Sequence, residues 1–103
     1  MTLSACVTSG AAILDKKKPT WFKKIDLETL DIGKPKFCVL GQLYGGYRLG
    51  VSRLKIKDPA VLGFDLELED NVDNEDDAEM FRQLTSLWIY AIRAKRLESF
   101  AKK

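Results

Sequence analysis

The chain has 103 residues, 46% of them apolar and 31% charged, and carries a net charge of +2 at neutral pH. That length makes one domain, residues 1–103, able to bury roughly 60 to 70% of its unfolded surface without metals or disulfides, and no apolar run approaches the about 20 residues that cross a bilayer. With no histidine and two cysteines, Ser-His-Asp and Cys-His nucleophile systems are excluded, the common zinc sites lose their imidazole, and a four-thiolate site cannot be built.

Leu3, Cys6, Val7, Gly10, Ile13 and Leu14 recur at threes and fours, which predicts an amphipathic helix from about Leu3 to Lys17. Thr2 or Ser4 caps its start and Pro19 ends it. The same stretch superficially suggests a secretory signal, but it lacks a basic start, and Ser4, Thr8, Ser9 and Gly10 interrupt its apolar part. Trp21, Phe22 and Ile25 follow in a short turn, and the irregular residues 25–32 are expected to form a buried connector, with one turn of helix as the alternative. Gly33 and Pro35 mark a break.

A central helix is predicted over Phe37–Leu54, where Leu40, Tyr44, Tyr47, Val51 and Leu54 share one row. Gly41, Gly45, Gly46 and Gly50 lie at fourfold spacing on it, although glycine inside a helix costs about 1 kcal/mol relative to alanine. Such a strip admits a neighbouring backbone. Packing against Gly10, Ala11 and Ala12 of the first helix explains it best, with homodimerisation through the strip as the competing use.

Asp58-Pro59 begins a turn. Phe64, Leu66 and Leu68 then alternate with Asp65, Glu67 and Glu69, so a short extended or β segment is expected near 63–69. Residues 70–77, DNVDNEDD, read as a solvated acidic loop. The last helix, about Asp76 to Lys102, sets Phe81, Leu84, Trp88, Ala91 and Ile92 on one side. The expected fold is therefore mainly α: a compact three-helix domain with irregular connectors.

Charge is partitioned along the chain. Residues 1–60 hold eleven Lys or Arg and five Asp or Glu, residues 61–81 hold nine acids and no base, and residues 82–103 hold six bases and one acid. The acidic run lacks the ligand spacing and glycine of a calcium loop, so no metal and no cofactor are expected. Asp26, Asp31 and Asp65 stand among apolar residues, where a carboxyl pKa can rise, but carboxylates so placed more often form the wet side of an element. The glycines lack the lysine and hydroxyl of a phosphate loop. Cys6 and Cys38 sit among apolar neighbours as free thiols do, which suits a reducing, cytoplasmic setting.

Gly10, Leu14-Asp15, Pro19-x-Trp21, Ile25-Asp26-Leu27, Leu30-Asp31, the block Cys38-Val39-Leu40-Gly41-Gln42-Leu43-Tyr44-Gly45, Gly63-Phe64 and Leu84-Thr85 with Trp88 together resemble a family of small uncharacterised proteins of actinobacterial phages and prophages. The resemblance implies a phage accessory protein acting in the host bacterial cytoplasm, a kind that often binds and blocks host machinery or defence. Two functional readings follow. In the first, a non-enzymatic module contacts a basic surface of a host protein through Glu67, Glu69, Asp70, Asp73, Glu75, Asp76 and Asp77. In the second, Arg93, Lys95, Arg96, Lys102 and Lys103 contact nucleic acid phosphates.

Overall fold

A computed structural model of the chain describes residues 2–66 and 74–101, and the side chains of the last helix from Ala78 onward. It is mainly helical. Helix α1 runs Leu3–Lys17, within the expected limits, because the Thr2 hydroxyl accepts the Ala5 N–H at 3.1 Å and the Lys18 N–H closes the last turn on the Leu14 carbonyl. A 3-10 turn at Trp21–Lys23 follows.

The central helix is two helices. α2 spans Val39–Tyr44 and α3 spans Tyr47–Leu54. Gly45 takes a left-handed conformation, φ 89°, which ends α2, and Gly46 is extended and starts α3. A run of apolar residues at helical spacing had implied one rod, but the adjacent glycine pair is where the chain turns most cheaply. α3 then folds back on α2: a Cβ at Gly50 would stand 2.7 Å from the Leu40 Cβ.

The glycine strip is accordingly not a surface for the first helix. Gly41 lies under the Pro35–Lys36 backbone and Gly50 under Leu40, whereas a Cβ at Gly45 would meet open space and one at Gly46 only the Leu49 side chain, 3.9 Å away. The close approach of α1 is made elsewhere, by Gly10 against the Leu62 carbonyl in the 3-10 turn Ala60–Leu62. Nor is the dimer reading supported, since the two tight positions are spent inside the chain.

Residues 63–66 form a turn and irregular chain, and no strand occurs among the described residues. Phe64 and Leu66 are nevertheless buried and Asp65 half-buried, so the alternation recorded burial without a sheet. Residues 67–69 of that expected segment and residues 70–73 of the expected loop lie outside the described residues. Helix α4, Asn74–Ala101, starts two residues early, so 74–77 belong to it rather than to a loop.

The core gathers on α4. Leu84, Trp88 and Ile92, four apart, are fully buried. The Trp88 ring stacks on Phe64 at 5.3 Å and meets Trp21 edge-on at 5.8 Å, while its indole N–H donates to the Gly63 carbonyl at 2.6 Å. Aromatic pairs in these geometries add to their area burial. Cys6 and Cys38 are both buried and free.

α1 and α4 run parallel. Leu3 and Cys6 share a cleft with Met80, Gly10 sits beside the Trp88 ring, and Asp15 pairs with Lys95. Both helices therefore end at the same pole of a molecule 49 Å long. Lys16 and Lys17 of α1 and Arg93 to Arg96 of α4 lie at that pole.

Candidate docking face on the terminal helix

α4 carries two opposed faces. Opposite the buried row of Leu84, Trp88 and Ile92 stand Tyr90, Leu97 and Phe100, spaced seven and three apart and therefore in one stripe. They are 76%, 70% and 79% exposed. No other group of large apolar side chains on one described helix is left so open; Leu49 on α3 and Met80 near the other end of α4 are exposed singly. Exposed Leu or Phe residues are ordinary one at a time, whereas three on one face of a helix suit an interaction surface.

Two of the basic residues beside the stripe are fixed from below. The Arg96 guanidinium donates to the Phe22 carbonyl at 3.0 Å and to the Ile25 carbonyl at 2.5 Å, which clasps the connector after the 3-10 turn to α4. The Lys95 ammonium donates to one Asp15 oxygen at 2.7 Å, and the Trp21 indole N–H donates to the other at 2.8 Å. Arg93 is exposed within the stripe, between Tyr90 and Leu97. Arg93, Arg96 and Leu97 border a notch of about 340 Å³.

Of the five bases expected to serve nucleic acid, Lys95 and Arg96 thus have structural duties, Arg93 is open, and Lys102 and Lys103 lie outside the described residues. Among the expected acidic contact residues, Glu67, Glu69, Asp70 and Asp73 also lie outside, as do the side chains of Glu75, Asp76 and Asp77, whose backbone forms the first turn of α4. The stripe itself was missed by sequence reading. Its signal was present, since Tyr90, Leu97 and Phe100 fall outside the row of Leu84, Trp88 and Ile92. Asp15 also gave a signal, because an acid in the last turn of a helix opposes the dipole and needs a partner to justify it.

The other chemistry-bearing groups are engaged locally. Tyr47 donates its hydroxyl to Asp65 at 2.8 Å, and the second Asp65 oxygen accepts the Leu66 N–H. Burial and the Asp65 carboxylate together hold the Tyr47 phenol well above its ordinary pKa. Asp26 and Asp31 accept backbone N–H groups of Glu28 and Gly33 in turns. The Cys38 sulfur caps α2 by accepting the Gly41 N–H at 3.2 Å, and burial pushes its thiol pKa up, which is the inert condition of a structural cysteine. Among the described residues no group of His, Cys, Asp or Glu is placed to hold a metal ion, and no helix is long and apolar enough to cross a membrane.

Gln42 ties α2 to the connector. Its side-chain carbonyl accepts the Asp26 N–H at 2.7 Å, and its amide donates to the carbonyls of Asp26 and Phe37. Thr85 does the same for the Ile32 N–H at 3.0 Å. Asp15, Trp21, Gln42, Thr85 and Trp88 therefore build the scaffold that presents α4. No family model, curated protein or solved structure matches the chain.

Proposed function

We propose that this chain is a non-enzymatic protein-binding module that docks a partner on the exposed face of α4. The observation that carries the reading is the row of Tyr90, Leu97 and Phe100, held open on a helix whose opposite face is anchored by Trp88. Large aromatic and aliphatic side chains on a rigid helix supply contact area at low entropic cost, which is what binding hot spots require. A host protein is the partner in this reading, as in the phage accessory proteins that the sequence resembles, and the acidic run of 67–77 offers a second contact to a basic surface.

The test is affinity capture from an actinobacterial lysate, with and without nuclease, by the wild-type chain and by the double variant Leu97→Asp, Phe100→Asp. A stoichiometric protein retained by the wild type and lost by the variant is the expected outcome. Capture that vanishes with nuclease would transfer the function to nucleic acid, and equal capture by both chains would remove the α4 face from the account.

A further inference from the structure

Resting on that docking reading, we infer that the occupant of the α4 face is an acidic amphipathic helix. The stripe from Tyr90 to Phe100 covers ten residues, about 15 Å of helix axis, which matches an apolar row of about three turns on a partner helix and is the geometry of a helix laid along a helix. Its surroundings select the partner's charge. Arg93 lies within the stripe between Tyr90 and Leu97. Arg96 is held at its edge by the Phe22 and Ile25 carbonyls, and that clasp brings the exposed Lys23 and Lys24 of the connector to the same pole.

Within residues 82–103 the only acid is Glu98, and Asp15 is already occupied by Lys95 and Trp21. The notch bordered by Arg93, Arg96 and Leu97 accepts an apolar side chain whose neighbours along the helix carry a carboxylate within reach of the open Arg93 guanidinium.

The same features argue against other occupants. Two copies of this chain meeting in parallel on Leu97 and Phe100 would bring Arg93 of one against Arg93 of the other. A phosphate backbone would leave Leu97 in water.

The experiment is selection from a displayed library of randomised helical peptides of about 15 residues, long enough to hold a helix. Wild-type protein is the bait, and the Leu97→Asp, Phe100→Asp variant, shown to unfold at the wild-type temperature, is the counter-selection. The expected binders carry net negative charge and apolar residues at helical spacing, and a synthetic representative loses about tenfold or more in affinity on Arg93→Glu. Binders that depend on the stripe but are neutral or basic would overturn the acidic-helix inference and leave the docking reading standing. Absence of any stripe-dependent binder would overturn both. Vesicles of mixed neutral and anionic phospholipid, and the sedimentation of the free protein, complete the test: stripe-dependent binding to the vesicles, or a stripe-dependent dimer, would assign the face to lipid or to a second copy instead.

Discussion

Replacing Trp88 by phenylalanine separates the two duties of the most connected side chain in the core. The substitution keeps an aromatic ring for Phe64, 5.3 Å away, and for Trp21, 5.8 Å away, but it deletes the N–H that serves the Gly63 carbonyl. A buried carbonyl left without a donor costs about 1 to 3 kcal/mol, and the space of the missing ring atoms adds about 1 kcal/mol. The expected loss is therefore about 2 to 4 kcal/mol, which for a domain of this size lowers Tm by roughly 10 to 25 °C. Trp88→Ala also gives up the ring contacts and is expected to cost about 3 to 5 kcal/mol from the cavity alone, with the orphaned carbonyl in addition. Urea unfolding followed by circular dichroism measures both, since Trp21 complicates fluorescence. A Trp88→Phe loss under about 0.5 kcal/mol, or one equal to that of Trp88→Ala, would refute this division between hydrogen bond and ring packing.

Glycine substitutions separate the two halves of the glycine strip. Gly50→Ala is expected to cost about 1 to 3 kcal/mol by forcing α3 off Leu40, whereas Gly46→Ala, in extended backbone where a Cβ would meet only the Leu49 side chain, is expected to be neutral or to gain up to about 1 kcal/mol; thermal melts of the pair decide. Asp15→Ala leaves the buried Trp21 indole N–H unpaired and is expected to cost about 1 to 3 kcal/mol, with Lys95→Ala much milder because its ion pair is partly exposed; a larger loss for Lys95→Ala in chemical denaturation would reverse that ranking. The Tyr47 phenol has a higher pKa folded than its ordinary value of 10.0, so its contribution is fully present below pH 10 and is lost as pH rises above it. Stability measured in urea should fall as pH rises above 10 toward the raised folded-state value, and Tyr47→Phe should flatten that fall; an equally steep fall in the variant would show that other groups carry it.

Local signals in the sequence were sufficient where the structure is local. The threefold and fourfold spacing of Leu3 to Leu14, with Thr2 before it and Pro19 after it, located α1, and the row through Leu84, Trp88 and Ile92 found the buried face of α4. The central segment misled because apolar spacing is continuous through Phe37–Leu54, and only the turn taken at Gly45 reveals that α3 packs back on α2. The clasps made by Gln42 to Asp26, Arg96 to Ile25 and Thr85 to Ile32 join residues 16, 71 and 53 positions apart, and no periodicity encodes such pairs. The candidate site depended on the same long-range information. The bases of the last helix were legible, but their division into structural Lys95 and Arg96 and open Arg93 follows from the parallel alignment of α1 and α4.

Photo-cross-linking in living cells tests the docking face most directly. A benzophenone amino acid replaces Phe100 in one chain and Leu49, exposed on α3, in another. The expected result is an adduct with one cellular protein from position 100 and none from position 49. Adducts from position 49 alone, or the same set of proteins from both positions, would contradict the assignment of α4 as the surface through which this chain works.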